Sequence, residues 1–291
     1  MKSSEPTVSR LAIASLLFSS SLWGIIWYPL RLLDSAGLSA VWSSFIMYFA
    51  AAVLAIPFLL KQGAFPQAIR KDLLTLAIAA GIANVAFVVA LIEGEVMRVM
   101  LLFYLSPLWT VLLGHWWLKE SLSLSAIVML MVAMSGSVVM LWNPDIGWPW
   151  PHNVADWLAL LASVAFSIHN IQARKLATVD MRIKTGVVWW GVVLTSLIVL
   201  IWQQSAIPSV TWSVWASAWF LGWLGIVLMT VAVLYGVARM PVYRSAVIML
   251  FELIVAAIAA WVLTSEVMTM QEWLGGSLIL LAGYGVAKSE T

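Results

Sequence analysis

Ten stretches of roughly twenty apolar residues follow one another along this chain, near residues 11–30, 38–60, 73–92, 99–118, 123–142, 155–173, 186–202, 213–238, 245–264 and 271–287, with charged, Pro-rich or Gly-rich breaks between them. A helix of about 20 apolar residues covers the hydrocarbon core of a bilayer. Inside that core every backbone N–H and C=O must find its partner within the protein, so only helices and closed barrels can span it. Barrel strands are about ten residues long and alternate in polarity, whereas these runs are apolar all round. The expected fold is therefore an all-α membrane protein with ten transmembrane helices. Composition agrees: 63% of residues are hydrophobic and 10% charged, where soluble domains carry about a quarter charged residues.

The same composition removes whole classes of function. No cysteine is present and there are three histidines, so disulfide frameworks and thiolate metal sites are excluded and no metal-ligand cluster is in view. A net charge of +2 gives a nucleic-acid partner no electrostatic footprint. The chain has no Gly-x-x-x-x-Gly-Lys loop for a nucleotide phosphate, no Gly-x-Ser-x-Gly elbow and no close pair of carboxylates within one helix, which argues against ATP-driven transport by this chain alone and against an enzyme. No cofactor is expected.

Orientation follows from the basic residues. Thirteen of the fifteen Lys and Arg fall on one side of a ten-helix threading, leaving Arg31 and Arg98 on the other. By the positive-inside rule both termini are cytoplasmic. The segment 11–30, preceded by Lys2 and Arg10, is long for the apolar core of a signal peptide and has a counterpart later in the chain, so it reads as a first membrane span.

That counterpart belongs to an internal repeat. Arg98 to Ser137 overlays Arg244 to Gly283 at a constant offset of 146, pairing Arg98 with Arg244, Glu120 with Glu266, Ser123 with Thr269 and Gly136 with Ala282. The first helix matches the sixth at an offset of 144, pairing Ser19 with Ser163 and Arg31 with Lys175. Five helices per half is an odd number, so the second half enters the membrane from the opposite side: an inverted repeat, in which two halves rock about a midplane site. The expected division is 11–142 for the first repeat, 143–154 for an external linker rich in Pro and Trp, and 155–287 for the second repeat.

Candidate site residues are polar or aromatic groups that apolar surroundings make costly or conspicuous. Glu252 alone among thirteen Asp and Glu lies deep in an apolar run, and a carboxylate there normally faces a bundle interior or a water-filled path. It has three readings: it binds a substrate amine, carries a coupling proton, or pairs with a neighbouring Arg or His. Under the repeat, Ser106 occupies the equivalent depth in the other half, so the carboxylate breaks an otherwise symmetric design; a helix-to-helix hydrogen bond is the plainer role for that serine. Tyr104 and Pro107 flank it, and the proline is expected to kink the fourth helix. Asn84 sits mid-span in the third helix, with Phe87 one turn on as an aromatic wall; its amide must bond either a neighbouring helix or a substrate. Ser20, Trp23, Trp27 and Arg31 form one helical stripe, although Trp is also the common interfacial anchor. Phe166, His169 and Asn170, together with Ser163, Ser167 and Gln172, put more polar groups on the sixth helix than a lipid-facing surface carries. Neutral packing is the plainer role for His169, and His115, next to Trp116 and Trp117 near a membrane surface, reads as interfacial.

Leu22-Trp23-Gly24 in the first helix, Leu118-Lys119-Glu120-Ser121-Leu122 after the fourth, and Thr264-Ser265-Glu266 followed by Gln271, Gly275, Leu278-Ile279-Leu280 and Gly283 resemble the drug/metabolite transporter superfamily with its paired EamA-type repeats. The resemblance spans nearly the whole chain. In its aromatic character the chain is most similar to the aromatic amino-acid exporters of that superfamily. The resemblance implies a multi-pass transporter of the bacterial-type inner membrane that exports small metabolites by alternating access, aromatic amino acids foremost. Exporters of drugs or other small amphipathic metabolites share the motifs, and a non-transport membrane scaffold is a third reading. The cavity would be formed by helices one, three, four, six, eight and nine, its partners being a small-molecule substrate and the lipid bilayer. Helices five and ten would act as packing supports or form a homodimer contact through Gly136, Gly275, Gly276 and Gly283. One departure stands out: Ser125 and Met129 occupy positions where the second repeat has Gln271 and Gly275.

Overall fold

The computed structural model describes residues 10–62, 65–94, 96–120, 123–142, 151–263 and 269–288, without the side chains of Ile92, Val96, Met97, Ala287 and Lys288. Lys2, Ser121, Leu122, most of the linker and the Thr264-Ser265-Glu266 motif lie outside the described residues. Every regular element among the described residues is helical: α1 Arg10–Ser35, α2 Ala40–Gln62, α3 Gln67–Glu93, α4 Val96–Phe103, α5 Ser106–Leu118, α6 Leu124–Leu141, α7 Val154–Lys175, α8 Met181–Trp202, α9 Trp212–Phe220, a π-helical turn Leu221–Ile226, α10 Val227–Val237, α11 Val242–Met249, α12 Phe251–Leu263 and α13 Met270–Lys288. Nine spans are long and apolar enough to cross a membrane, counting α4–α5, α9–α10 and α11–α12 as one each. α13, whose first turn carries Gln271 and Glu272, is a further long helix outside those nine.

The apolar runs locate the helices and their polar ends extend them. α3 starts six residues before its apolar run and takes Arg70, Lys71 and Asp72 into its first turns, because long charged side chains can leave the helix for the interface. Several helix starts are capped by their own side chains. Ser123 accepts the N–H of Ala126 at 3.1 Å, and Asn153 accepts that of Asp156 at 2.8 Å, satisfying donors that a helix start leaves open.

The helices pair across the two halves. α1 lies along α10 and α12, and α7 lies correspondingly along α3 and α5. α2 packs antiparallel on α8: Trp42, near the start of α2, donates to Ser205 beyond the end of α8 at 3.0 Å, while Gly186 near the start of α8 meets Ala55 and Leu59 near the end of α2. α6 packs antiparallel on α13. A Cβ on Gly136 would stand 2.6 Å from the carbonyl oxygen of Gly275, and Gly275 meets Gly136 in return. Small residues let two backbones approach where lipid gives no hydrophobic drive to association. The departure at Met129 is compensated in the same interface: Gly275 faces Met140, and Met129 faces Gly285. One large and one small residue meet at each place, with the sizes exchanged between the helices. Gly283, by contrast, has no atom within 4 Å of where a Cβ would be.

Two spans are interrupted. The fourth breaks at Tyr104–Leu105, where Leu105 has φ −73° and ψ −9°, and the ninth breaks at Leu250, with φ −63° and ψ −12°. In both, the chain tightens to i→i−3 bonding: Leu105 N–H reaches Leu102 at 3.3 Å and Leu250 N–H reaches Val247 at 3.2 Å. Pro107 in the first turn of α5 accounts for the first interruption, since it has no N–H to offer the preceding turn. The second has no proline.

The eighth span carries the π-helical turn. It lies against α2, where Gly222 sits on the Met47 carbonyl and Trp223 donates to the carbonyl of Ala50 at 2.9 Å. Most tryptophans serve packing or the interface. Trp116, Trp157, Trp202, Trp212, Trp261 and Trp273 are exposed near helix ends, while Trp42, Trp190, Trp215 and Trp219 join Phe45 and Phe49 in an edge-to-face network between α2, α8 and α9.

Candidate functional site

At the centre of the bundle the helices leave a cavity. Its aromatic wall is formed by Trp23 of α1, Tyr48 of α2, Phe87 of α3, Phe103 of α4 and Phe166 of α7. Ala80, Ala83, Val188, Val192, Val233 and Met249 supply apolar surface, and the polar groups are Asn84, His169, Thr230 and Glu252. The expected six spans all contribute. The second and seventh do too, through Tyr48 and through Val188 and Val192.

A smaller cavity adjoins it, lined by Tyr104, Ser106, Pro107, Thr110, Asn170, Ala246 and Leu250. Phe103, Phe166, Met249 and Glu252 face both cavities. The smaller space thus lies at the two helix breaks and brings Ser106 and Glu252 to one place. Each of these residues opens the C-terminal segment of its span, Ser106 as the first residue of α5 and Glu252 as the second of α12.

Packing explains why Trp23 reaches the cavity. Beside it, a Cβ on Gly24 would stand 2.7 Å from the carbonyl oxygen of Glu252, 2.9 Å from Cβ of Val255 and 3.0 Å from the N of Ala256. α1 therefore lies directly on the backbone of α12 at the level of the carboxylate. The rings behind the cavity form a chain: Phe87 and Phe103 have centroids 4.4 Å apart, Phe103 and Phe166 5.5 Å, and Phe166 stacks on His169 at 6.2 Å.

The Asn84 amide divides its bonds. Its NH₂ donates to the Tyr48 hydroxyl at 3.3 Å, while Oδ1 is buried without a partner. Both ring nitrogens of His169 and Oδ1 of Asn170 are likewise buried and unpaired. Unsatisfied buried polar atoms are rare and costly, and these four lie on residues that line the two cavities. The Tyr104 hydroxyl neighbours the Glu252 carboxylate. Ser167 donates to the backbone carbonyl of Ser106 at 2.8 Å, tying α7 to the first turn of α5.

Of the sequence candidates, Trp23, Asn84, Phe87, Phe166, His169 and Glu252 line the central cavity, and Tyr104, Ser106, Pro107 and Asn170 the adjoining one. Trp27 lines neither; its ring meets Tyr28 edge-on at 5.7 Å. Tyr48, Phe103 and Thr230 were not singled out by the sequence. Phe103 directly precedes the Tyr104 to Pro107 cluster, which is the signal that could have found it. Tyr48 stands in an apolar, aromatic-rich run that gives no such cue.

Ion pairs tie the helices together beyond the cavity on both sides. On one side Arg98 Nε contacts Asp156 Oδ2 at 2.8 Å, both side chains buried. On the other, Glu120 accepts the N–H of Val242 at 2.9 Å and lies 3.5 Å from Arg174, which donates to the carbonyl of Ala238 at 2.8 Å. Glu120 thus caps the start of α11, where a helix leaves open donors and a partial positive charge. His115 is exposed, 3.1 Å from the carbonyl of Glu120, as an interfacial residue would be. Among the described residues no cluster of His, Asp and Glu could hold a metal ion.

The sequence profile of the EamA-like transporter family matches the chain twice, over residues 10–142 and 153–287. No curated protein matches the sequence. One solved structure, described only as the crystal structure of a protein, shares the fold with a TM-score of 0.75 at 16% identity, over 95% of this chain and 98% of that one. Matched over both stretches and so over most of its length, this polypeptide belongs to the EamA-like transporter family.

Proposed function

We propose that the protein is an inner-membrane exporter of small amphipathic metabolites, in which two inverted five-helix repeats move about the central cavity so that it opens to one side and then the other. Both termini are cytoplasmic in this reading. The observation that carries it is the pair of interruptions at Tyr104–Leu105 and Leu250, with an intramembrane carboxylate beside them. Transporter binding sites are commonly built from such broken helices at a repeat interface. Antiparallel packing of α2 on α8 and of α6 on α13, corresponding helices of the two halves, supports the inverted arrangement.

In this mechanism the rings of Trp23, Phe87 and Phe166 stack on the apolar body of the substrate. Asn84, Tyr104, Ser106, His169, Asn170 and Glu252 hold its polar end, and Pro107 keeps the fourth span broken. Aromatic amino acids carry a ring and an amine, and so do many drugs, so both classes suit the walls. A flux panel in liposomes tests this reading: purified protein is expected to move tryptophan, phenylalanine or aromatic amines faster than protein-free vesicles. An inert protein across that panel, with and without a pH gradient, would overturn it.

A further inference from the structure

The charges of the cavity walls narrow the substrate class. Among the described residues the two cavities carry one carboxylate, Glu252, and no Lys or Arg. The unpaired amide atoms on the walls, Oδ1 of Asn84 and Oδ1 of Asn170, are acceptors. His169 in its neutral form adds one donor and one acceptor, and the hydroxyls of Tyr48 and Tyr104 complete the titratable groups. Aromatic faces attract cations through the ring quadrupole. A carboxylate brought into this space loses its hydration and finds a like charge and no fixed positive one.

Helix starts at the two breaks offer little compensation. In α5 Pro107 has no N–H, and the N–H of Leu108 is already bonded to Leu105 at 3.0 Å. In α12 the N–H of Leu253 is bonded to Leu250 at 3.1 Å. These two first-turn donors, of the kind that greets an anion at a free helix start, are taken up by the chain's own turns.

We infer that the cavity selects organic cations, an aromatic or apolar body bearing an ammonium and no carboxylate, in preference to zwitterionic amino acids. This rests on the transport reading and decides between its two substrate classes. Glu252 is the counter-ion, the amide oxygens of Asn84 and Asn170 add partial negative charge around the cation, and the rings of Trp23, Phe87 and Phe166 enclose it.

The test uses three probes that share a phenyl ring: benzyltrimethylammonium, phenylalanine and 3-phenylpropionate, a permanent cation, a zwitterion and an anion. Each is radiolabelled and followed into liposomes holding the full chain, against protein-free vesicles. Protein-dependent flux of the cation is expected to exceed that of the zwitterion at least tenfold, with the anion slowest, and Glu252→Gln is expected to remove that preference while the thermal unfolding profile is kept. Equal or faster flux of phenylalanine or phenylpropionate overturns the substrate class and leaves transport standing. No protein-dependent flux of any probe overturns both. A folded Glu252→Gln protein with the preference intact overturns the role of the carboxylate, and the wild-type panel decides the class alone if that variant does not fold.

Discussion

Glu252 stands at the second residue of α12, facing both cavities, with the backbone of α1 pressed against its carbonyl at Gly24. A site so placed responds to small changes. Glu252→Gln and Asn84→Ala are expected to slow flux by tenfold or more, about 1.4 kcal/mol of lost binding or barrier lowering, while the protein still folds; unchanged flux in both would remove them from the site. Gly24→Ala adds a methyl 2.7 Å from a backbone oxygen, and such overpacking costs about 1–3 kcal/mol. Its Tm is expected to fall along with flux, because Trp23 moves with the helix. At this scale the sequence was partly legible. Asn84, His169, Asn170 and Glu252 announce themselves because polar groups inside apolar runs need a reason. Tyr48 and Phe103 do not, since an aromatic in an apolar run is the residue lipid-facing and core positions both favour.

The elements add what a residue list lacks, namely the two broken spans. Pro107 made the first predictable, and the structure places the break just before it, at Tyr104–Leu105. The break at Leu250 has neither proline nor glycine beside it, so local propensity gives no cue and only the repeat points there. The π-helical turn Leu221–Ile226 was equally silent, arising where the eighth span meets α2 through Gly222 and Trp223. Pro107→Ala restores an N–H donor and favours a straighter fourth span. The variant is expected to unfold at the same or a higher temperature and to transport severalfold more slowly, and wild-type flux would show the break to be dispensable. Gly136→Leu, in contrast, drives a side chain into the Gly275 backbone. It is expected to lower the Tm by several degrees, which differential scanning fluorimetry in detergent would record.

On the scale of the whole molecule, ion pairs tie helices together beyond the cavity on both sides. Arg98 and Asp156 are buried together, and removing one partner of a buried pair costs about 3–5 kcal/mol because the other charge is stranded. Asp156→Asn is therefore expected to lower stability clearly, while substitution at the exposed Lys175–Asp72 pair changes it by less than about 1 kcal/mol. The all-helical membrane fold was readable from hydropathy and polar punctuation, because lipid permits few alternatives. The participation of the second and seventh spans was not, because it depends on how α2 and α8 cross rather than on any motif. The chain contains no cysteine, so one introduced at Met249, on the wall shared by the two cavities, can be followed without background. Its reaction with a membrane-impermeant maleimide, applied from either face of sealed vesicles, measures alternating access directly. Labelling from both faces, slowed by a transported substrate, is expected; protection from both faces, or access from one face alone under every substrate and ion condition, would contradict it.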